Sequence, residues 1–273
     1  MSLSTLNKSK LSKMEVLLSC MSFEPTKLLE ANIQSDVLVI NQCDHTAFTE
    51  FQFKDKFNIS HHARVLCIRQ RGLSQSRNLA IDYALSDILL LADDDEVFVD
   101  NYPQLVLNAF EQNLDSDVLL FNITSNRSTH NLLNNTKIVG YIESMRACSQ
   151  QIAFRREPIL KKWIKFDVTM GAGTGNGAGE ENRFLFDCLR HKLKIKCVPK
   201  LIAHVTHKES SWFKGYTEEY FINRGYSSRK LLGRFLGLIY IIEWSFAKRA
   251  SYSSEISIKS AIFLQLKGLF FKP

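Results

Sequence analysis

Asp93, Asp94 and Asp95 follow directly on the apolar run Ile88-Leu89-Leu90-Leu91. Adjacent carboxylates at the end of a buried strand repel one another and lose hydration unless a cation or a bound ligand neutralises them. Their oxygens suit a hard divalent cation such as Mn2+ or Mg2+ that keeps positions open for phosphate oxygens. If the apolar run is a parallel strand, the cluster stands beyond its carboxyl end, where ligands collect in open α/β sheets. A solvated acidic turn has the same composition, so the neighbouring residues decide between the two.

Upstream runs Arg71-Gly72-Leu73-Ser74-Gln75-Ser76-Arg77-Asn78-Leu79-Ala80-Ile81, then Tyr83 and Ala84. Gly72 permits a tight turn, Ser74 or Ser76 can cap a helix, and Leu79, Ala80, Tyr83 and Ala84 form an apolar stripe at helical spacing. Arg77, near the start of this helix, can face the same crevice as the aspartates and is suited to a phosphate or a base edge. Downstream, Gly171-Ala172-Gly173-Thr174-Gly175-Asn176-Gly177-Ala178-Gly179 precedes Glu180 and Glu181. The stretch lacks the Lys-Ser/Thr of a P-loop and the register of a dinucleotide loop; its glycines permit close backbone approach to a bound sugar, and plain flexibility would use the same residues. Glu180 and Glu181 open a helix whose buried stripe is Phe184, Leu185, Cys188 and Leu189. Acidic residues in a first turn favour the helix dipole, and that alone would account for both glutamates.

The run from Arg71 to Glu96, a Gly-Leu-Ser-x-Ser-Arg-Asn helix followed by an apolar strand and an Asp-x-Asp cluster, resembles the nucleotide-binding half of family-2 glycosyltransferases. Phe166-Asp167, the glycine stretch and Gly179-Glu180-Glu181-Asn182 resemble that family's acceptor-side motif. The likeness covers roughly residues 14–221 and implies a GT-A fold. It implies that Asp93 and Asp95 hold the metal against the donor diphosphate, with Asp94 and Gly72 beside the donor. By position it implicates Ser19, Gln42 and Asp44 around the nucleoside, Glu181 as the general base and Glu180 as an acceptor-binding carboxylate. The usual second acid of the motif is Asp, so the two glutamate roles could be exchanged. A histidine after a late strand often helps hold the metal or diphosphate in this family. His207 is the first choice for it and His204 the second.

Around these residues the chain alternates strand and helix. Glu15–Met21, Asp36–Asn41, Val65–Ile68 and Ile88–Leu91 read as strands of parallel-sheet type, with helical or turn-rich segments between them. A helix over Tyr102–Asn113, a strand over Val118–Asn122, a polar loop over Ser125–Lys137, a strand at Gln151–Arg156 and a short strand at Lys194–Pro199 follow. The pattern predicts a doubly wound, mostly parallel sheet flanked by helices. The expected division is a flexible N-terminus over 1–13, a catalytic domain over 14–221 with halves meeting at 100/101, and a C-terminal tail over 222–273.

The tail separates itself by charge. It holds nine Lys and Arg against Glu243 and Glu255, a surplus of seven that equals the net charge of the whole chain, so the remainder is neutral. Leu236–Ile242 is far below the roughly 20 apolar residues needed to span a bilayer. Basic helices with aromatic and aliphatic residues suggest an anionic membrane surface, and a helix pair packed on the catalytic domain or on a second subunit would use the same residues. No nucleic-acid motif accompanies the charge, so no nucleic-acid partner is expected. The six cysteines, Cys20, Cys43, Cys67, Cys148, Cys188 and Cys197, contain no Cys-x-x-Cys pair and read as reduced core thiols without metal-ligand spacing. Met1–Lys13 is polar and basic without an apolar core, so no secretory leader is expected and a reducing cytoplasm fits.

Together these features predict a metal-dependent, inverting glycosyltransferase. The expected donor is a nucleotide-sugar, foremost a UDP-sugar, and the acceptor a glycan or lipid-linked molecule in bacterial surface-polysaccharide synthesis. A nucleotidyltransferase would use a similar sheet and metal but release pyrophosphate. A silent sugar-binding scaffold would keep the fold without turnover, and the intact acidic pairs argue against it.

Overall fold

The computed structural model describes residues 13–125, 134–176, 178–206 and 215–272. A ten-stranded mixed sheet in the order β3-β4-β2-β1-β5-β9-β7-β10-β6 forms its centre, with β8 also pairing to β10. The strands are β1 Met14–Cys20, β2 Asp36–Gln42, β3 Ala47–Lys54, β4 Ser60–Ile68, β5 Ile88–Asp93, β6 Glu96–Phe98, β7 Val118–Ser125, β8 Lys137–Ile138, β9 Ile152–Arg155 and β10 Ile195–Val205. The pairings set β1, β2, β4, β5, β7 and β10 in one direction and β3, β6, β8 and β9 in the other. Helices α1 Thr26–Glu30, α2 Leu73–Tyr83, α3 Tyr102–Gln112, α4 Tyr141–Ser144, α5 Arg156–Lys161 and α6 Glu180–Arg190 flank the sheet.

The sheet is buried on both faces. Val16, Leu18, Val37, Val39 and Leu90 join a core that α3 closes with Val106 and Phe110. Leu17, Leu38, Ile40, Leu89 and Leu91 join one closed by Ala80 and Ile81 of α2 and Phe184 and Leu185 of α6. Alternate residues of one strand feed opposite cores, which explains why these central strands read as continuous apolar runs.

Two segments depart from the expected plan. Between β2 and β4 the sequence predicted a helical or turn-rich link, and the structure places the antiparallel edge strand β3 there. Asp55 makes the hairpin turn: its Oδ1 accepts from the amides of Phe57 and Ile59, each at 2.9 Å, and Asn58 takes the left-handed conformation at φ 63°. The strand expected over Gln151–Arg156 ends at Arg155, and Arg156 begins α5. The Arg155 guanidinium bonds the carbonyls of Ser116 and Phe110, each at 3.0 Å.

The division at 221/222 falls inside α7, Glu218–Ala247, and the tail docks on the catalytic domain. Tyr226 donates to Thr169 at 2.8 Å, Lys230 pairs with Asp167 at 2.8 Å, and Arg190 donates to the Leu231 carbonyl at 3.1 Å. At Gly233 (φ 75°, ψ −175°) α7 reverses on itself. A straight helix would hold residues 224 and 244 about 30 Å apart. Instead the Arg224 guanidinium lies 3.6 Å from the Trp244 ring centroid and donates to the Tyr240 hydroxyl at 2.9 Å. With α8, Arg249–Tyr252, and α9, Ile258–Phe270, the two arms make a small helical bundle around Phe221, Tyr252, Ala261 and Leu264. Gly225 and Gly268 let α7 and α9 touch backbone to backbone: a Cβ on either would stand 1.9 Å from the carbonyl oxygen of Gln265 or Ile222.

Candidate active site

The parallel register brings three strand ends together. Ser19 on β1 lies beside Ile40 on β2 and Asp93 on β5, so the loops after these strands open on one edge of the sheet. Helix α2 crosses behind them. Gly72 begins it with φ 129°, a backbone state that side chains disfavour. Its N–H donates to Gln42 Oε1 at 2.7 Å, and Leu73 N–H donates to the Ala172 carbonyl at 2.9 Å. Neither expected serine caps α2. Ser74 Oγ donates to the Met170 carbonyl at 2.7 Å and Ser76 Oγ to Ser19 Oγ at 2.8 Å, so both tie the helix to the surrounding loops.

One side chain organises the centre. Arg77 is 2 % exposed, and its guanidinium joins Glu180 (Nη1 to Oε1, 3.0 Å) to Asp93 (Nη2 to Oδ1 and Oδ2, 3.1 and 3.2 Å) above the Phe166 ring. Phe166 is held by reciprocal bonds with the Asn78 amide at 2.7 and 2.9 Å. Burial alone would lower the Arg77 pKa, and the carboxylates of Asp93, Glu180 and Glu181 outweigh it and raise it. The Arg77 guanidinium, expected to face a phosphate or a base edge, spends these donors on two carboxylates. It links the carboxylate at the end of β5 to the one that starts α6, residues brought together from opposite halves of the chain.

The aspartates differ in surroundings. Asp93 also accepts from Ser149 Oγ at 3.0 Å, Asp94 is exposed, and Asp95 is half-buried with its carbonyl accepting from Thr206 N–H at 2.9 Å. No three carboxylates converge on one point among the described residues. Two acidic side chains with phosphate oxygens make a complete environment for Mg2+ or Mn2+, so the donor set fits such an ion. Beside them Glu96 is buried, accepts from the Asp93 amide at 2.9 Å, and leaves Oε2 without a hydrogen bond among the described residues. Burial first, then the charges of Asp93 and Asp95, push its carboxyl well above the usual range. Glu96 and Ser149 escaped the sequence reading. Glu96 adjoined the acidic run and could have been found there, whereas Ser149 stands in no motif.

Helix α6 carries the opposite wall. Gly179 is left-handed at φ 92°, and Asn182 fixes the first turn by donating to the Ser144 and Ala147 carbonyls at 2.8 and 3.1 Å. Glu180 is committed to Arg77, while Glu181 is half-buried. Desolvation first, then repulsion from Glu180, raise the Glu181 carboxyl well above its ordinary pKa, against the lowering pull of Arg77. The glycine stretch supplies close approach, but to protein: a Cβ on Gly171 would stand 3.0 Å from Glu180, and one on Gly173 3.3 Å from Gly72.

The remaining expected residues are placed unevenly. The Gln42 side chain is spent on Gly72, and its carbonyl accepts from Arg71. Asp44 is exposed and pairs with Arg71 at 2.8 Å. His204 lies opposite Val97 and bonds Thr124 through Nδ1 at 2.6 Å. His207 lies outside the described residues. An open cleft of about 660 Å³ adjoins the glycine loop, lined by Arg71, Thr169, Asn176, Tyr226, Arg229 and Lys230, so the tail helps wall it.

Comparison with known proteins agrees with this architecture. The family model described as glycosyl transferase family 2 matches residues 27–177. No curated protein sequence matches the chain. Among solved structures, S. aureus TarS 1-349 in complex with UDP-GlcNAc superposes with a TM-score of 0.63 at 14 % identity, covering 94 % of this chain and 81 % of that one. The same fragment in complex with UDP gives a TM-score of 0.60 at 13 % identity over the same shares. A crystal structure of S. aureus TarS gives 0.59 at 13 % identity, with 90 % of this chain covering 46 % of that one. The family match begins in α1, takes in the α2 turn, Arg77 and the three aspartates, and ends in the glycine loop, so the chain belongs to glycosyl transferase family 2 and has the GT-A fold.

Proposed function

We propose that this glycosyltransferase moves a sugar from a nucleotide-sugar, foremost a UDP-sugar, to a hydroxyl of a glycan or lipid-linked acceptor, with inversion at the anomeric carbon. The observation that carries the reading is the Arg77 bridge. It fixes the donor-side Asp93 and the first turn of α6 in one crevice, with Glu181 beside it as a carboxyl poised to take a proton. The S. aureus TarS fragment, of the same fold, has been solved with UDP-GlcNAc and with UDP, which supports a uridine donor.

In the proposed reaction Glu181 accepts the proton of the acceptor hydroxyl. The acceptor oxygen forms its bond to the anomeric carbon as the bond to the diphosphate oxygen breaks. The electron pair of that broken bond leaves with the nucleoside diphosphate. Glu180, neutralised by Arg77, keeps the α6 turn in place and offers its edge to the acceptor. Asp93 and Asp95 would hold Mn2+ or Mg2+, which when bound supplies positive charge to the leaving diphosphate. Ser19 and the Gly72 turn border the donor side, and the cleft beside Arg229 lies on the side of the glycine loop.

The test is a panel of UDP-, GDP- and CDP-sugars, with Mn2+ or with chelator, read as nucleoside diphosphate released. Metal-dependent release from one donor, abolished in a folded Asp95→Ala variant, is expected. Release of pyrophosphate in its place would move the protein to nucleotidyl transfer, and full turnover by Asp95→Ala would remove that residue from the reaction.

We further propose that the helical tail seats the enzyme on the inner, anionic surface of the plasma membrane, where surface polysaccharides are begun. Phe235, Ile239, Ile242 and Phe246 are exposed along the second arm of α7 at helical spacing, as are Phe263 and Phe270 on α9 and Phe271 just after it. Arg234, Lys248, Arg249, Lys259 and Lys267 are exposed around them. Among the described residues no helix is long and apolar enough to cross a membrane. An apolar face with a cationic rim suits lying in the headgroup layer. Full-length protein should float with vesicles containing phosphatidylglycerol and not with neutral vesicles, and Phe235→Ser with Phe263→Ser should release it. Recovery of the wild type free of both vesicles would refute the membrane role.

A further inference from the structure

The sheet assembles a set of soft ligands that linear spacing hides. Cys43 follows β2, Cys67 lies in β4, and the two strands run parallel with Asn41 opposite Cys67 and Gln42 opposite Ile68. Cys43 N–H donates to the Ile68 carbonyl at 2.9 Å, which pins the start of the loop against β4. His45, two residues on, turns back, so that its Nδ1 lies 3.6 Å from Cys43 Sγ. The ligand atoms of Cys43, His45 and Cys67 all lie within 4.8 Å of one another, and among the described residues no other group of three His, Cys, Asp or Glu converges in this way.

The sulfur–nitrogen distance matches the edge of a tetrahedral cation site, and the third ligand lies close enough to complete it. An ion holding sulfur at about 2.3 Å and nitrogen at about 2.1 Å has a sulfur–nitrogen edge of about 3.6 Å. The side chains are accessible: His45 is exposed and both cysteines are half-buried. Behind them Asn41 Nδ2 donates to Cys67 Sγ at 3.6 Å while its Oδ1 accepts from Cys20 Sγ at 3.7 Å, a support that orients the thiol as outer partners orient metal ligands. Two thiolates and a neutral imidazole favour Zn2+ over the hard ions suited to the aspartates.

We propose that Cys43, His45 and Cys67 form a Zn2+ site that pins the loop after β2, with a fourth position left to solvent. Both thiols give up their protons on binding, and the neutral imidazole ligates through Nδ1. The loop so held carries Asp44, which pairs with Arg71 next to the Gly72 turn, so the ion braces the donor-side rim. The inference stands whether or not the chain transfers sugar, because its readout is the metal.

Reduced full-length protein, stripped with chelator and titrated with Co2+, should bind one equivalent with a thiolate-to-cobalt charge-transfer band that Zn2+ abolishes. Cys43→Ser, Cys67→Ser and His45→Ala should each weaken binding by about tenfold or more, while Cys197→Ala retains it. Circular dichroism shows whether each variant is folded, and His45→Ala, altered at an exposed position, keeps the test open if a cysteine variant is not. Wild-type protein that shows no thiolate band, or a band that His45→Ala and both serine variants keep unchanged, would overturn the site. So would a Cys43–Cys67 disulfide as the dominant form in freshly prepared protein that binds no cation once reduced.

Discussion

Replacing Glu181 with glutamine should lower turnover by about 10²- to 10⁴-fold, the usual contribution of a positioned general base, with donor affinity unchanged. Glutamine keeps the shape of the side chain and the α6 first turn, which Asn182 secures independently, so the loss reports the missing proton acceptor. The pH profile sharpens the assignment. Desolvation and the neighbouring Glu180 raise the Glu181 pKa, and the proposed reaction needs the ionised form. Activity should therefore fall as pH drops through that raised pKa, above the range of an ordinary carboxylate, and Glu181→Gln should remove this acidic limb from its residual activity. An unchanged limb, or turnover within a few-fold of wild type, would transfer the base role elsewhere. Glu180→Gln makes the contrast: it loosens the Arg77 pairing and should act first on stability.

The parts of this architecture legible in the sequence are those whose signal is local. β1, β2 and β5 announce themselves as apolar runs because both sheet faces are covered, and the α2 turn and the acidic run lie within a few residues of one another. β3 was missed for the opposite reason. It is an edge strand whose side chains are mostly exposed, so it offers only the loose alternation of Phe48, Phe51 and Phe53 and one Asx turn at Asp55. The reversal of α7 at Gly233 was hidden because nothing in Leu232-Gly233-Arg234 distinguishes a turn from a tolerated helical glycine.

Among candidate site residues the placement at one crevice was legible and the allocation of partners was not. Position in the motif put Arg77 in the crevice, but only the fold shows that residues 93 and 180 meet there and take up its donors. Gln42 was expected at the nucleoside, yet its side-chain Oε1 is the acceptor for the N–H of the unusual Gly72 backbone. The cysteines were dismissed on spacing because parallel strand register, which pairs 41 with 67, is invisible along the chain.

Removing the Arg77 charge should be the most damaging single change to folding. Arg77→Met keeps much of the buried stem and its packing near Phe166, but it leaves Glu180 at 7 % exposure facing Asp93 without the cation between them. Breaking a buried ion cluster from one side costs about 3–5 kcal/mol, because the remaining charges cannot recover their hydration. Arg77→Lys should recover only part of this, since one ammonium cannot reproduce the planar fork that reaches both carboxylates. Urea denaturation measures the loss directly. Neutralising the partners separates stability from chemistry: Arg77→Met combined with Asp93→Asn and Glu180→Gln should regain much of the lost free energy, because no unpaired charge remains buried. Metal-dependent turnover should stay absent in that triple variant, since the donor-side carboxylate is gone. If Arg77→Met instead unfolds at the wild-type urea midpoint, the bridge does not hold the two halves of the site together, and the rigidity assigned to it must come from the Gly72 and Asn182 contacts.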